Sequence, residues 1–317
     1  MQTNGENAWQ DKRVFITGAT GFVGQWLTRA LLERGAYPVI LVRDGLPEMH
    51  QFNGTCAIVR GDVRDQVLIQ RILNEYDIEN VFHLAAQADV TFANEHPANA
   101  LSVNITGTTS VLEAVRTIKP NAMIVLASSD KAYGDQDNLP YTEDTPLEGR
   151  NPYDCSKSCA DLIALSYLHT FGLNVAITRC GNIYGGGDLD WKRLVPNTIR
   201  RLLRGQTPVI YGYGTETRDF FYVEDVVSAY LTLAEKDAHG PYNFSMGEEI
   251  TVRRMIETIC RLMDQPVHVH TLNQPRGMIA YQVLDSSRAR MELGWSPQFT
   301  LEEGLAKTIK WYEDYLK

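Results

Sequence analysis

Apolar residues along this chain follow two rhythms. Arg13-Val-Phe-Ile-Thr17, Pro38-Val-Ile-Leu-Val42, Cys56-Ala-Ile-Val-Arg60, Asn80-Val-Phe-His-Leu84, Met123-Ile-Val-Leu-Ala127 and Val175-Ala-Ile-Thr178 are short apolar runs bounded by polar residues or glycine. That is the pattern of strands buried on both faces. Between them the apolar positions return at helical spacing: Trp26, Leu27, Ala30 and Leu31, then a segment capped by Asp65 and running through Tyr76. A long helix is predicted from Pro97 to about Ile118, and another from Tyr153 to Phe171, ended by Gly172-Leu-Asn174. Strands alternating with helices predict an α/β fold built on a doubly wound, mostly parallel sheet.

From Gly181 the character shifts. Asn182 to Asp188 predicts a flexible loop, Arg193 to Leu203 a helix, and Gly212 to Phe220 a polar turn that ends in a short strand through Val223. Glu224 to Glu235 predicts a helix returning to the first domain. Tyr242 to Ser245, a helix from Val252 to Met263, Val267 to Leu272 and a last helix from Leu301 to Leu316 complete a smaller C-terminal α/β lobe. The expected division is 11–180 plus about 219–245 for the first domain, with 181–218 and 246–317 forming the second. Nothing repeats, and no stretch is low in complexity.

The first apolar run stops at Gly18-Ala-Thr-Gly21-Phe-Val-Gly24, and a helical pattern follows at once. Strand, glycine turn and helix make a Rossmann-like dinucleotide fingerprint. Gly18 permits the tight turn, Gly21 lets backbone approach a pyrophosphate, and Gly24 lets the helix pack on the strand. The helix start offers amides and positive dipole to phosphate, so Thr20, Phe22 and Val23 join the glycines as cofactor contacts. The second run ends in Arg43-Asp44. A carboxylate there suits the ribose hydroxyls and an arginine a 2′-phosphate; Arg43 sits nearer the strand end, which leans the expectation from NAD towards NADP. Asp62, with Val63, is placed to meet the adenine edge. Leu84, Ala85 and Ala86 provide a close approach after the fourth run. His83 is expected to be a packed strand histidine, and Asn104, inside a helix, needs a partner.

A net charge of −9 argues against a nucleic-acid or anionic-membrane surface. It leaves room for a phosphorylated ligand held by helix N-termini and a few arginines. The five cysteines are odd in number, scattered, and lack the companions of a zinc site; no metal is expected. The polar start of the chain and the lack of a membrane-length apolar run give an expectation of a soluble, cytoplasmic protein.

The densest chemistry lies between Ile124 and Lys157. A buried-looking strand breaks into Ser128-Ser-Asp-Lys131, and a polar loop leads to Tyr153-Asp-Cys-Ser-Lys157 at a helix start. In an open α/β sheet, ligands bind beyond the carboxyl ends of the strands. Tyr153 and Lys157, four apart, share one helix face. An ammonium beside a phenol favours the phenolate, so Tyr153 is a candidate base for a substrate hydroxyl.

The glycine loop, Tyr153-xxx-Lys157, Gly181-Asn182 and Arg218-Asp-Phe-x-x-Val223-x-Asp225 occur in an order that resembles the extended short-chain dehydrogenase/reductases. The likeness runs almost to the end, through Leu293-Gly-Trp-Ser-Pro297 and Leu301-Glu-Glu-Gly304. Within that family the chain is similar to the nucleotide-sugar 4,6-dehydratases and 4-epimerases. The resemblance implies a nucleoside-diphosphate sugar as substrate. Asn182 and Arg218 would contact its diphosphate, Arg276 and Tyr281 would help clamp the nucleotide, and Arg193 would add charge. Gln87, Ser128 and Leu194 complete the implied substrate set.

The triplet Ser129-Asp130-Lys131 decides among the relatives. Epimerases generally carry no acid directly after the hydroxyl residue, whereas dehydratases place an Asp and then a Glu or Lys there. The Lys variant looks most like the CDP-glucose 4,6-dehydratases, although Val42-Arg43-Asp44 departs from them. The resemblance thus implies an internal hydride cycle on a CDP-glucose or GDP-mannose type of substrate, with Tyr153 and Lys157 at C4. Asp130 would protonate the leaving C6 hydroxyl, Lys131 would take the C5 proton, and Ser128 or Ser129 would bond the C4 oxygen. Two alternatives stay open: a 4-epimerase or amino-sugar 5,6-dehydratase, with Asp130 and Lys131 structural, and a non-catalytic NAD(P)-binding redox sensor. A homodimer pairing helices 97–118 and 153–171 is expected, because together they carry more apolar surface than one sheet face needs.

Overall fold

The computed structural model describes residues 8–44, 55–274 and 279–317. Seven strands form one sheet: β1 (Arg13–Thr17), β2 (Tyr37–Val42), β3 (Ala57–Arg60), β4 (Asn80–His83), β5 (Met123–Ala127), β6 (Val175–Cys180) and, later in the chain, a strand over Gly240–Phe244. That late strand lies beside β6, and the order from it is β6, β5, β4, β1, β2, β3. The first six strands pair in parallel. The order reverses at β1 and β4, so the ends of these strands form the crevice that this architecture offers to a ligand.

The crossovers are α1 (Phe22–Glu33), α2 (Gln66–Glu75), a helical stretch of three pieces, and α6 (Pro152–Phe171). Asp65 caps α2 by accepting from the Leu68 amide. Gly172 ends α6 in the left-handed conformation with φ 64°, a geometry that favours glycine. One side of the core joins Phe15, Val39, Val81, Ile124 and Ile177 of the strands to Ile69 and Leu73 of α2 and to Val111 and Val115 of the third crossover. Each such buried side chain contributes about 1.5–3 kcal/mol.

The expected single helix over 97–118 is interrupted. After a short helix over Val90–Glu95 (α3), α4 (Pro97–Leu101) leads into a π-helical turn over Ser102–Thr106, and α5 (Gly107–Ile118) follows. The wider turn changes the direction in which its side chains project, and it contains Asn104.

By contact density the chain divides into two units. The first comprises 1–135, 145–179 and 227–242, and the second 136–144, 180–226 and 243–317, taken over the described residues. The second unit corrects three expectations. Asn182–Tyr184 is a strand (β7), not a loop, and pairs in parallel with β10 (Phe220–Tyr222). Between them lie α7 (Leu194–Leu203), begun at Arg193 as its N-cap, β8 (Val209–Ile210) and β9 (Thr217–Arg218), which lies where a turn was predicted. Beyond α8 (Val223–Glu235) and β11, the late strand of the large sheet, come β12 (Ile250–Thr251), α9 (Val252–Leu262) and β13 (His270–Thr271). β13 is shorter than the predicted 267–272, because its Pro266 side begins with a tight turn from the His268 amide to the Pro266 carbonyl. β14 (Tyr281–Gln282), α10 (Ser287–Leu293) and α11 (Leu301–Tyr315) close the chain. These strands are two or three residues long, held by pairing and burial rather than by any alternating pattern, which is why the sequence does not announce them.

Candidate active site

The glycine turn forms a cradle empty of side chains. Gly18 has φ +77°, and a Cβ there would lie 2.6 Å from the Ala85 amide nitrogen. A Cβ on Gly24 would lie 2.0 Å from the Gly18 carbonyl oxygen. Gly21 is the N-cap of α1 and supplies no side-chain hydrogen bond to the helix start, so the first amides are left for an anion. Thr20, Phe22 and Val23 are half-buried around it, as are Leu84, Ala85, Ala86 and Gln87 after β4. These residues fit the diphosphate of a dinucleotide.

At the end of β2 the exposed Arg43 and Asp44 pair with each other, Nε to Oδ2 at 2.8 Å. Asp62 binds Arg64 through both carboxylate oxygens, at 2.9 and 2.7 Å. The Arg64 guanidinium holds the Asp62 carboxyl down at about 2. Asp62 thus meets a neighbour that sequence reasoning missed, while Val63 is buried against the core.

The chemistry collects where β5 ends and α6 begins. Ser129 caps a four-residue 3₁₀ turn over Asp130–Tyr133, and its hydroxyl accepts from the Lys131 amide. It also donates to Asp130 Oδ1 at 3.1 Å. Asp130 is 2% exposed. Its Oδ2 and the Ser128 hydroxyl are buried with no hydrogen-bond partner among the described residues. Tyr153 and Lys157 occupy the first two turns of α6, with Lys157 Nζ 6.0 Å from the Tyr153 ring centroid. Nζ donates to the Ala127 carbonyl at 2.7 Å, and burial lowers the ammonium to about 8, against the charge of Asp161.

Supporting residues appear that the spacing alone does not reveal. Asn104, in the π turn, accepts from the Gln87 amide at 2.7 Å and donates to the Ser156 hydroxyl at 2.8 Å. Ser156 in turn donates to the Tyr153 carbonyl. A polar residue inside a helix was the available signal for Asn104; nothing marked Ser156. His83 is packed between Thr17 and Thr108 hydroxyls at 2.7 and 3.1 Å, and burial lowers it to about 3. Asp154, in the first turn of α6, is buried. Burial pushes its carboxyl up, and the charge of Lys131 and a bond from Asn151 oppose this.

In the second unit a cavity of about 260 Å³ is lined by Asn182, Arg193, Leu194, Ile210, Glu216 and Arg218 among others. Four of the implied substrate residues therefore meet in one pocket. Arg193 is already engaged: it donates to Asp188 at 2.8 Å and to the Ile183 carbonyl at 2.7 Å. Tyr281 lies apart from this lining, in β14 beside Thr217, and burial and then Glu249 push its phenol up to about 12. Arg276 lies outside the described residues.

The family model described as GDP-mannose 4,6 dehydratase matches residues 15–308. The chain is 32% identical to a CDP-glucose 4,6-dehydratase of Salmonella typhimurium, a match covering 98% of this chain and 93% of the relative. A UDP-glucose 4-epimerase of Thermotoga maritima, solved with UDP-glucose, superposes with a TM-score of 0.90 at 27% identity and covers 96% of this chain and 100% of that one. A dTDP-glucose 4,6-dehydratase of Bacillus anthracis in complex with NAD gives a TM-score of 0.85 at 27% identity, over 96% of this chain and 97% of that one. No helix among the described residues is long and apolar enough to cross a membrane. With the strand order and the glycine cradle, these matches along nearly the whole length show that the chain belongs to the GDP-mannose 4,6-dehydratase family of extended short-chain dehydrogenase/reductases.

Proposed function

We propose that this protein is a nucleotide-sugar 4,6-dehydratase acting on an NDP-hexose of the CDP-glucose or GDP-mannose type. The observation that carries the proposal is the buried Asp130 Oδ2, without a partner among the described residues, as is the hydroxyl of Ser128 two residues before it. Burying a polar group without a hydrogen bond is costly, and a substrate hydroxyl relieves both groups. An epimerase needs no acid at this position.

Gly18, Gly21 and Gly24, with the first amides of α1, would hold the diphosphate of a nicotinamide dinucleotide, which would supply an acceptor and donor of hydride for C4 and C6 of the hexose. Tyr153 takes the C4 hydroxyl proton, with the Lys157 ammonium favouring the phenolate form that can accept it. Ser128 or Ser129 bonds the C4 oxygen. The 4-ketone acidifies C5, Lys131 takes that proton, and Asp130 protonates the C6 hydroxyl, which leaves as water. Lys131 returns a proton to C5. Each turnover leaves one proton gained on Tyr153 and one lost from Asp130, so their net exchange restores the enzyme with no overall redox change.

In the second unit, Asn182 and Arg218 contact the diphosphate, Arg193 adds charge, Leu194 lines the same pocket, and Tyr281 helps clamp the nucleotide. Arg43 favours NADP over NAD. A homodimer through helices 97–118 and 153–171 is supported by Leu162 and Phe171, both more than half exposed on α6; a monomeric mass in sedimentation equilibrium would sink that part.

The deciding experiment incubates the protein with CDP-, GDP-, UDP- and dTDP-hexoses, with NAD and NADP, in deuterated water, followed by mass spectrometry. Loss of one water with one deuteron at C5 is expected. An unchanged mass with inverted C4 would make the protein a 4-epimerase, the reading favoured by its likeness to the Thermotoga maritima enzyme.

A further inference from the structure

Arg179 is among the largest fully buried side chains of the described residues, and it lies one strand away from the chemistry, in β6. Its guanidinium grips Asp161 of α6 through two bonds, Nε to Oδ2 at 2.9 Å and Nη2 to Oδ1 at 2.7 Å. The pair is almost wholly excluded from solvent, with side-chain exposures of 2% and 0%. Nη1 donates to the Tyr133 hydroxyl at 2.9 Å, and the guanidinium carbon stands 4.9 Å from the centroid of the Tyr133 ring. Tyr133 is the last residue of the 3₁₀ turn that bears Asp130 and Lys131.

We infer that Asp161, Arg179 and Tyr133 are positioning residues that fix the turn bearing Asp130 and Lys131 against the helix bearing Tyr153 and Lys157. The inference rests on the dehydratase function proposed above. A four-residue 3₁₀ turn has few hydrogen bonds of its own and poor geometry for them, so its orientation comes from outside. Two ties supply it. The Ser158 hydroxyl donates from α6 to the Ala132 carbonyl at 2.8 Å, and the Arg179 fork holds Tyr133. Asp161 follows Lys157 by one helical turn and Tyr153 by two, on the same side of α6. One helix therefore carries the groups that act at C4 and also anchors the turn that acts at C5 and C6. An ion pair serving only to hold α6 on β6 would have no use for the third bond, to the tyrosine hydroxyl.

The variant Tyr133→Phe removes that bond while keeping the ring against the guanidinium and leaving the Asp161–Arg179 pair intact. Acid-quenched single turnovers, analysed by mass, separate substrate, the 4-keto sugar that has lost two hydrogens but no water, and the dehydrated product. Expected is a 4-keto species that forms within about twofold of the wild-type rate and accumulates. Its loss of water should slow about 10- to 100-fold, the effect of sub-ångström to ångström misplacement of a catalytic group, while the lost buried bond lowers the melting temperature by only a few degrees. Arg179→Lys, which keeps the charge but loses the fork, should shift the partition in the same direction if it folds; if it does not, Tyr133→Phe alone decides. Unchanged water loss in Tyr133→Phe, or both steps slowing together with no 4-keto species, overturns the inference. A wild-type enzyme that removes water from no sugar nucleotide overturns the function itself, and that control is read before either variant.

Discussion

Lys157 donates from Nζ to the carbonyl oxygen of Ala127 at 2.7 Å, tying α6 to the end of the central strand β5. Lys157 is 6% exposed, and burial lowers the ammonium to about 8. In the proposed mechanism the protonated form assists Tyr153, so kcat/KM should fall as pH rises through about 8. Lys157→Arg keeps its charge across this range and should lose that alkaline limb, at a lower overall rate. A pH–rate profile of the two proteins checks both points.

The proposed mechanism gives Asp130 and Lys131 separable tasks. Asp130→Asn should leave C4 oxidation intact and slow water loss about 10²- to 10⁴-fold, the usual worth of a placed general acid. Lys131→Met should abolish solvent deuterium at C5. Full water elimination by Asp130→Asn would remove the acid role.

The buried His83 gives the fold an acid-sensitive point. Burial, and the nearby Lys157 charge, lower it from 6.5 to about 3. Between these values the unfolded chain takes up a proton that the folded protein refuses, so stability falls as pH drops from about 6.5 towards 3. The loss is roughly 5 kcal/mol at most by the lower limit. Denaturant midpoints against pH should show this slope, and His83→Asn should flatten it.

Gly24→Ala tests the cradle. The new Cβ would fall 2.0 Å from the Gly18 carbonyl oxygen, a backbone atom with nowhere to go. A cost of about 1–3 kcal/mol is expected, with dinucleotide affinity lost alongside it. Calorimetric titration and thermal melting measure the two.

Arg43 bears on the choice of cofactor. Arg43→Ala should weaken NADP binding about tenfold, the worth of one charge-assisted hydrogen bond, and leave NAD binding unchanged. Equal loss for both would show that Arg43 does not read the 2′-phosphate.

The sequence by itself determined six strands of the large sheet and the glycine cradle; the seventh strand, over Gly240–Phe244, was expected in the smaller lobe and was placed by tertiary pairing. The six strands and the cradle rest on local rules: apolar runs long enough to be buried on both faces, helical spacing between them, and glycines at positions such as Gly18 and Gly24, where backbone meets backbone. The i, i+4 spacing likewise put Tyr153 and Lys157 on one helix face without any tertiary information. Tertiary structure decided what surrounds them. The π turn that aims Asn104 at Gln87 and Ser156 depends on contacts 17 and 52 residues away. The strands of two or three residues in the second unit exist only as pairings, since segments that short have no periodicity to read. The buried Asp161–Arg179 pair joins residues 18 apart, and Arg179 reaches Tyr133 across 46. A charge in an apolar run looks like an exposed strand end until folding supplies its partner. Local chemistry therefore specified which groups are present, and long-range packing specified which of them are dry, paired and aimed.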